Sequence, residues 1–289
     1  MIFDFVNIDP INKGFSSDKK YCASLSDGSK YLLRLSNIDS YEKKKEEFHL
    51  MKLVEALDIP MCIPIDFGIE NNKVYSIHSW IYGEAAENYI PKLSENEQYL
   101  YGIKSGTILK RIHSIPLDNV EESWDIRFNK KMDKKLEVYS ASPLKFDGGT
   151  NLINYINQNR HLLKDRPQSY HHGDYHIGNM MIEKDNLKII DFDRYDYGDP
   201  FEEFNRIVWS AQKSPLFASG MVDGYFNDNP PLEFWKLLAL YISSNTLGSL
   251  AWAFEFGEDE LIVILNQANE ILKWYDNMKN IIPTWYKSK

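Results

Sequence analysis

The sequence predicts an α+β fold in which a β-rich N-terminal lobe precedes a mostly helical lobe. Short runs rich in β-branched and aromatic residues dominate residues 1–81, whereas apolar residues at helical spacing dominate residues 82–289. One short β hairpin interrupts the helical part. Strands followed by helices are typical of α+β proteins, and a cleft for ligands is expected where two lobes meet. We therefore predict two domains, residues 1–81 and residues 82–289.

Two hairpins and one helix account for the predicted N-terminal lobe. The β-rich runs that form the hairpins are residues 20–25, 30–36, 62–69 and 73–80. The first hairpin turns at Ser26-Asp27-Gly28-Ser29, whose residue types favour a tight turn. Between the hairpins we expect a helix over residues 40–57, because Leu50, Val54 and Leu57 recur at helical spacing before Pro60.

Helical spacing prevails after residue 82. Ser94 with Glu97 is a capping-box pattern, which predicts the start of a helix that runs to about residue 113. Further helices are expected near residues 150–163, 200–212, 231–256 and 258–280. The exception is a hairpin made by the runs 179–183 and 187–190 around a polar turn.

Composition and charge narrow the class of protein. The chain has 289 residues, of which 43% are hydrophobic, so it can bury a substantial core. A net charge of −9 makes a non-specific nucleic-acid binder unexpected and suits a cationic substrate. Cys22 and Cys62 lack metal-site spacing and indicate free thiols in a reducing compartment. Because no apolar run is long enough to span a membrane and no basic segment opens the chain, we expect a cytoplasmic protein. The oligomeric state is not predicted.

Residues 170–200 concentrate the side chains that phosphoryl transfer requires. One carboxylate must orient the attacking hydroxyl and accept its proton, and oxygen ligands must hold Mg²⁺ against the phosphates. Asp174 and Asn179 are five residues apart in a glycine-containing loop, and Asp191 follows the next strand 12 residues later. A hairpin between Asn179 and Asp191 returns the carboxylate to the amide. We therefore expect these two residues to bind Mg²⁺, with Asp174 facing the acceptor.

These residues resemble the motif of a known family. The run His172-Gly173-Asp174-Tyr175-His176-Ile177-Gly178-Asn179 is similar to the H-G-D-x-H-x-x-N signature of aminoglycoside phosphotransferases and related small-molecule kinases. Asp191-Phe192-Asp193 stands where protein kinases have D-F-G. The resemblance implies a bilobal protein-kinase-like fold, with Asp174 as the catalytic base and Asn179 and Asp191 as magnesium ligands. It leaves the role of Asp193 open and implies that His172 and His176 brace the loop.

The N-terminal lobe is expected to hold the triphosphate of ATP or GTP. In protein kinases a Lys on the third strand pairs with a Glu on the following helix. The matching strand here, residues 30–35, offers Arg34, whose planar fork also suits phosphate oxygens. We expect Arg34 to pair with Glu46, which aligns with Leu50 on the predicted buried stripe. Glu47, one position round the helix, is the alternative.

Two further segments are expected to contact the nucleotide. Ser16 and Ser17 lie in a loop ahead of the strand at residue 20, where their amides and hydroxyls would face the phosphates. Backbone groups of Ser79 and Ile81 would bind the base at the end of the predicted sheet. An ordinary turn and an ordinary strand end fit these segments locally as well, and the sequence does not distinguish ATP from GTP.

Acidic residues and one tryptophan in the helical lobe are candidates for the acceptor pocket. They are Asp199, Glu202, Trp252 and Glu255. An acidic cluster with an aromatic ring suits a polyamine or quaternary ammonium group. The alternative is a solvated helix end, and Asp199 would then stabilise its loop or the N-terminus of the next helix.

The leading prediction is a Mg²⁺-dependent kinase that moves the γ-phosphate of ATP or GTP to a hydroxyl of a small molecule. An aminoglycoside-like antibiotic is the first acceptor expected. The alternatives are a housekeeping kinase of choline, a sugar, an amino alcohol or a macrolide, and a nucleotide-binding pseudokinase that acts as a regulator. Retention of Asp174, Asn179 and Asp191 favours an active enzyme.

Overall fold

The chain forms two compact units. The computed structural model describes residues 3–12, 18–117 and 122–287. Unit 1 comprises Met1–Tyr89 and Asn179–Tyr195, and unit 2 comprises Ile90–Gly178 and Asp196–Lys289. The sequence placed the boundary between residues 81 and 82. In the structure unit 1 extends to Tyr89 and also takes the hairpin that the sequence assigned to the helical lobe.

The strands and helices of the described residues are numbered in chain order. The strands are β1 (Asn7–Ile11), β2 (Lys19–Ser24), β3 (Lys30–Asn37), β4 (Pro64–Glu70), β5 (Lys73–Ser79), β6 (Glu84–Ala85), β7 (Ser169–His171), β8 (Met180–Glu183), β9 (Asn186–Ile189) and β10 (Asp196–Gly198). The helices are α1 (Tyr41–Glu55), α2 (Ala86–Tyr89), α3 (Glu95–Ile112), α4 (Trp124–Ala141), α5 (Gly149–Asn159), α6 (Ile207–Lys213), α7 (Pro215–Phe226), α8 (Leu232–Phe256) and α9 (Glu258–Trp274).

A five-stranded antiparallel sheet in the order β1-β2-β3-β5-β4 forms the centre of unit 1. Side chains alternate between its two faces. One face is apolar and includes Ala23, Leu33 and Ile77, which are at most 1% exposed. The other face carries Lys20 and Arg34, which lie directly opposite each other on β2 and β3. Helix α1 lies against this charged face and therefore has to supply charged partners.

A hairpin within residues 179–195 completes unit 1. Strands β8 and β9 pair from Met180 opposite Ile189 to Glu183 opposite Asn186. The two turn residues, Lys184 and Asp185, both have positive φ, the backbone geometry of the turns that match the twist of a tight hairpin. The Cys62 N–H donates to the Ile189 carbonyl at 3.2 Å, which joins the hairpin to the segment before β4.

Unit 2 is mostly helical. Helix α3 begins with the predicted capping box, which is confirmed: Ser94 Oγ accepts from the Glu97 N–H, and the Glu97 carboxylate accepts from the Ser94 N–H. The predicted helices near residues 231–256 and 258–280 are also confirmed as α8 and α9. Helices α4 and α7 were not predicted from the sequence. None of the described helices is both long and apolar enough to cross a bilayer.

Helices α3 and α7 pack through four glycines, Gly102 and Gly106 on α3 and Gly220 and Gly224 on α7. A methyl group added at Gly106 would lie 2.0 Å from the Met221 carbonyl oxygen, and each of the other three would also lie within 2.3 Å of a backbone oxygen. The backbones of the two helices are therefore in direct contact, and any side chain between them would force them apart.

The close contact between α3 and α7 predicts that a Gly to Ala substitution destabilises the protein. In an exposed helix Ala is more stabilising than Gly by about 1 kcal/mol. Gly106→Ala should instead lower the free energy of unfolding by about 1–3 kcal/mol, because the added methyl group does not fit between α3 and α7. Urea unfolding measures this, with Thr107→Ala on the exposed side of α3 as a control that changes little. A Gly106→Ala protein as stable as the unsubstituted protein would contradict the packing.

Candidate active site

The loop that carries Asp174 follows β7 and is held by hydrogen bonds within unit 2. Gly173 has a φ of 86°, a conformation that glycine adopts without strain, and its N–H donates to the carboxylate of Glu203 at 3.0 Å. Tyr175 is fully buried, and its hydroxyl donates to the Ser105 carbonyl at 2.8 Å. The residues on both sides of Asp174 are thus fixed by groups from other segments, which presets the position of the carboxylate.

The two histidines of the loop accept hydrogen bonds from its backbone. His172 Nδ1 accepts from the Asp174 N–H at 3.3 Å, and His176 Nδ1 accepts from the Gly178 N–H at 3.1 Å. His172 is fully buried. These contacts are those of the bracing role expected from the resemblance, and they stiffen the backbone around Asp174.

Two nitrogen groups of unit 2 lie beside the Asp174 carboxylate. Arg206 Nε is 3.3 Å from Asp174 Oδ1, and His176 Nε2 is 3.7 Å from the same oxygen. A guanidinium at this distance favours the ionised form of a carboxylate. Arg206 was not predicted from the sequence, because it lies 32 residues after Asp174 in a segment without a distinctive motif.

In unit 1, Arg34 lies at the centre of a group of charged side chains and is 5% exposed. Its Nε and Nη2 donate to Asp18 Oδ2 at 3.1 and 2.8 Å, and its Nη1 donates to Glu47 at 3.4 Å. The same guanidinium is 3.5 Å from Asp191 and 3.3 Å from Asp193. Burial lowers the pKa of Arg34, but the carboxylates outweigh this effect and raise the pKa above its ordinary value. We call these residues, together with Lys44, the charged cluster.

Lys44 of α1 is the second buried cation of the charged cluster. Its Nζ lies 2.8 Å from Asp18 and 2.9 Å from Glu47, and it also donates to Asp193. Lys44 and Glu47 are three residues apart, so one turn of α1 presents a cation and an anion to the sheet. Asp193, whose role the sequence left open, thereby connects α1 to the segment that follows β9.

The predicted partner of Arg34 was wrong by one residue. Glu47 is 4% exposed and contacts Arg34, whereas Glu46 is exposed and accepts from the Tyr195 hydroxyl at 2.9 Å. The prediction aligned Glu46 with the leucines of α1. In the structure Met51 lies on the buried face, which rotates that face toward Glu47 and leaves Glu46 beside solvent.

Asn179 and Asp191 lie next to each other at the base of the hairpin, where the Ile190 N–H donates to the Asn179 carbonyl at 3.1 Å. Asp191 Oδ2 accepts from Lys20 Nζ at 3.4 Å, whereas its buried Oδ1 makes no hydrogen bond in the described part of the chain and lies 3.5 Å from Arg34 Nη1. Carboxylate and amide oxygens, such as those of Asp191 and Asn179, are ligands that Mg²⁺ prefers. Residues 3–12, 18–117 and 122–287 contain no cluster of three or more His, Cys, Asp or Glu suited to a metal. Magnesium bound with substrate phosphates ordinarily uses only one or two carboxylates.

The other expected nucleotide contacts have different outcomes. Ser16 and Ser17 lie outside the described residues. The Ser79 N–H donates to the Ile63 carbonyl at 2.8 Å, so this amide is already occupied and is not a donor to the base. Ile81 is 9% exposed, and its backbone remains the predicted contact of the base.

Asp199 has the structural role that the sequence offered as an alternative, and its assignment to the acceptor pocket was wrong. The side chain is fully buried. It accepts from Arg166 at 2.7 and 3.1 Å, from the Tyr241 hydroxyl at 2.6 Å and from the Phe201 N–H at 3.0 Å. These donors satisfy the carboxylate within the protein and fix the start of the segment that leads to α6.

Glu202 is also compensated by the protein itself. Its carboxylate lies 3.6 Å from Lys131 and 3.7 Å from His171. Burial raises the pKa of Glu202, but Lys131, His171, Lys135 and Arg206 together lower it further than burial raises it. Among the remaining candidates, Trp252 is 38% exposed on α8, and the Glu255 side chain lies outside the described part of the structure.

A groove of about 1070 Å³ in unit 2 was not predicted, because its lining comes from three separate segments of the chain. We call it the carboxamide groove. Its acidic residues are Asp147, Glu270 and Asp276, its amide residues are Asn151, Gln212, Asn266, Asn269 and Asn277, and Lys273 also lines it. Gln212 lies on α6, six residues after Arg206 in the chain.

The charged cluster predicts that Glu47 and Glu46 differ in their effect on stability. Glu47→Gln should lower the free energy of unfolding by about 3 kcal/mol, because it removes one carboxylate from two buried cations. Glu46→Gln, on the exposed side of α1, is the matched control and should change it by less than about 0.5 kcal/mol. Urea unfolding of both proteins measures the difference, and the reverse order would contradict the assignment of Glu47.

The fold is similar to those of known kinase structures. A thermostable mutant of aminoglycoside phosphotransferase APH(4)-Ia, in a ternary complex with AMP-PNP and hygromycin B, is 14% identical with a TM-score of 0.69, covering 93% of this chain and 94% of that chain. Amicoumacin kinase hAmiN, in complex with AMP-PNP, Ca²⁺ and Ami, is 13% identical with a TM-score of 0.67, covering 96% and 90%. The gentamicin–APH(2'')-IIa complex is 18% identical with a TM-score of 0.65, covering 92% of both chains. The predicted protein-kinase-like α+β fold is confirmed.

Sequence comparisons establish the family. No curated protein sequence matches the chain. The model of the phosphotransferase enzyme family, APH, matches residues 7–235, which is most of the chain and includes Arg34, Asp174, Asn179 and Asp191. The chain therefore belongs to the phosphotransferase enzyme family.

Proposed function

We propose that the protein is an active Mg²⁺-dependent kinase that transfers the γ-phosphate of ATP to a hydroxyl group of a small molecule. The observation that carries the proposal is the Asp191 carboxylate, which is partly exposed at the base of the hairpin, where β9 returns the chain to Asn179. A pseudokinase regulator has no need to keep Asp174, Asn179 and Asp191 together in one sequence. The braced Asp174 loop of unit 2 supplies the second requirement, a fixed carboxylate for the acceptor.

The residues imply a simple transfer step. The acceptor hydroxyl attacks the γ-phosphorus, its proton passes to the Asp174 carboxylate, and the bond from the γ-phosphorus to the bridging oxygen breaks, which releases ADP. Before the step Arg206 holds the Asp174 carboxylate by an ion pair at 3.3 Å. When bound to Asn179 and Asp191, Mg²⁺ supplies neutralisation of the charge on the phosphates.

ATP is the proposed donor, because similar structures contain ADP or AMP-PNP. GTP remains an alternative donor. We also propose the cytoplasm as the location, since ATP is available there and Cys22 and Cys62 are free thiols.

An aminoglycoside-like antibiotic is the first acceptor proposed. The carboxamide groove carries three carboxylates and one lysine among amides, a lining that suits a molecule with several amino and hydroxyl groups. Similar proteins bind gentamicin or hygromycin B.

A sugar is the second candidate, ahead of choline, an amino alcohol or a macrolide. It is favoured by the cations Lys131, Lys135 and Arg206 around Glu202, because they occupy a carboxylate that an amine would otherwise bind.

Replacing the proposed base tests the function directly. Phosphate transfer from ATP with Mg²⁺ is measured on a panel of aminoglycosides, macrolides, choline, amino alcohols and sugars. Asp174→Asn should lower turnover by about 10²–10⁴-fold and leave nucleotide binding unchanged, because only the proton acceptor is lost. Removal of Mg²⁺ with EDTA should abolish turnover.

Asp39→Asn, at an exposed position, is the control and should retain full turnover. Full turnover in Asp174→Asn would contradict the role of Asp174. Nucleotide binding without transfer to any acceptor, and without ATP hydrolysis, would favour the pseudokinase instead.

A further inference from the structure

Lys20 is a cation of unit 1 that the sequence analysis did not single out. It lies on β2 directly opposite Arg34 of β3, so both side chains project from the same face of the sheet. Its Nζ is 3.4 Å from Asp191 Oδ2, and its side chain is 15% exposed. Lys20 therefore borders the proposed metal ligand and also reaches solvent.

The donors of Arg34 are already committed. A guanidinium has five N–H groups, and that of Arg34 makes five contacts with carboxylates. Three of them are hydrogen bonds, two to Asp18 and one to Glu47, and the other two are ion pairs with Asp191 at 3.5 Å and Asp193 at 3.3 Å. A phosphate that bound Arg34 would have to displace carboxylates from a buried charge, which is costly.

The donors of Lys44 are committed in the same way. An ammonium group has three N–H bonds, and that of Lys44 contacts Asp18, Glu47 and Asp193. By contrast, Lys20 makes a single ion pair, with Asp191, among the residues that the structure describes. Two of its three donors are therefore available to a ligand.

The balance of charge around Asp191 also favours Lys20, rather than Arg34 or Lys44, as a cation for phosphate. Four carboxylates, those of Asp18, Glu47, Asp191 and Asp193, surround the two fully engaged cations. A triphosphate that approaches Asp191 needs positive charge from Mg²⁺ and from a cation with unused donors. Lysine suits this task, because its ammonium is a point charge on a flexible stem that can move from a carboxylate to a phosphate.

We infer that Lys20 binds the β- and γ-phosphates of the nucleotide, whereas Arg34 is a positioning residue that holds Asp191 in place. The inference rests on the proposed function, since it requires that the protein bind a nucleoside triphosphate. It changes the expectation from the sequence, in which Arg34 was the cation that bound the phosphates, together with the loop of Ser16 and Ser17.

Calorimetric titration tests the inference without measuring catalysis. Wild-type protein, Lys20→Met and Lys19→Met are each titrated with Mg²⁺·AMP-PNP and with adenosine. Lys19 is the matched control, because it is exposed and projects from the opposite face of β2. Lys20→Met should weaken binding of AMP-PNP by about tenfold or more and leave binding of adenosine unchanged. Lys19→Met should bind both ligands as the wild type does.

Urea unfolding distinguishes the proposed role of Lys20 in binding phosphate from that of Arg34 in positioning Asp191. Without nucleotide, Lys20→Met should unfold at the same urea concentration as the wild type, whereas Arg34→Lys should unfold at a lower one, because its fork holds the carboxylates together.

Equal affinity of Lys20→Met and the wild type for AMP-PNP would overturn the inference and leave the proposed function standing. An equal loss of affinity for adenosine would also overturn it, since the effect would then be structural. Failure of the wild type to bind AMP-PNP would overturn both the inference and the proposed function.

Discussion

The burial of Arg34 is the constraint on which the arrangement of unit 1 depends. An unpaired buried charge costs several kcal/mol, so the fold has to bring carboxylates to it. The four carboxylates come from three segments: the residue before β2, helix α1, and two positions after β9. Since Asp191 lies 3.5 Å from Arg34, this pairing helps to fix the position of Asp191. The same requirement that stabilises the unit thus also orients its proposed metal ligand.

The charge on this face of the sheet extends to neighbouring groups. His78 is 2% exposed on β5, and burial, followed by the charges of Arg34 and Lys44, lowers its pKa to about 3. The imidazole is therefore neutral at physiological pH and adds no further positive charge. In unit 2 the arrangement differs, because Asp174 lies beside the Arg206 guanidinium and remains partly exposed. Unit 1 holds its carboxylates with buried cations, whereas unit 2 holds its carboxylate by fixing the backbone on either side.

The sequence was most informative where a local pattern determines structure. The capping box of α3, the hairpin between Asn179 and Asp191 and the strand of Arg34 all depend on residues close together in the chain. The errors arose where the outcome depends on distant partners. Glu46 and Glu47 differ by one position on α1, and the face of the helix that is buried in the folded unit, which includes Met51, decides between them. Asp199 was read as a ligand-binding carboxylate because Arg166 and Tyr241, which satisfy it, lie far away in sequence.

The contact between α3 and α7 through four glycines restricts how this part of the protein can change during evolution. Four positions accept only a hydrogen atom, since a backbone oxygen of the other helix occupies the space of a methyl group. A single substitution at any of them meets backbone, which cannot rotate away as a side chain can. Variation in this pair of helices must therefore occur on their outer faces, or else require the two backbones to separate together through several coordinated substitutions.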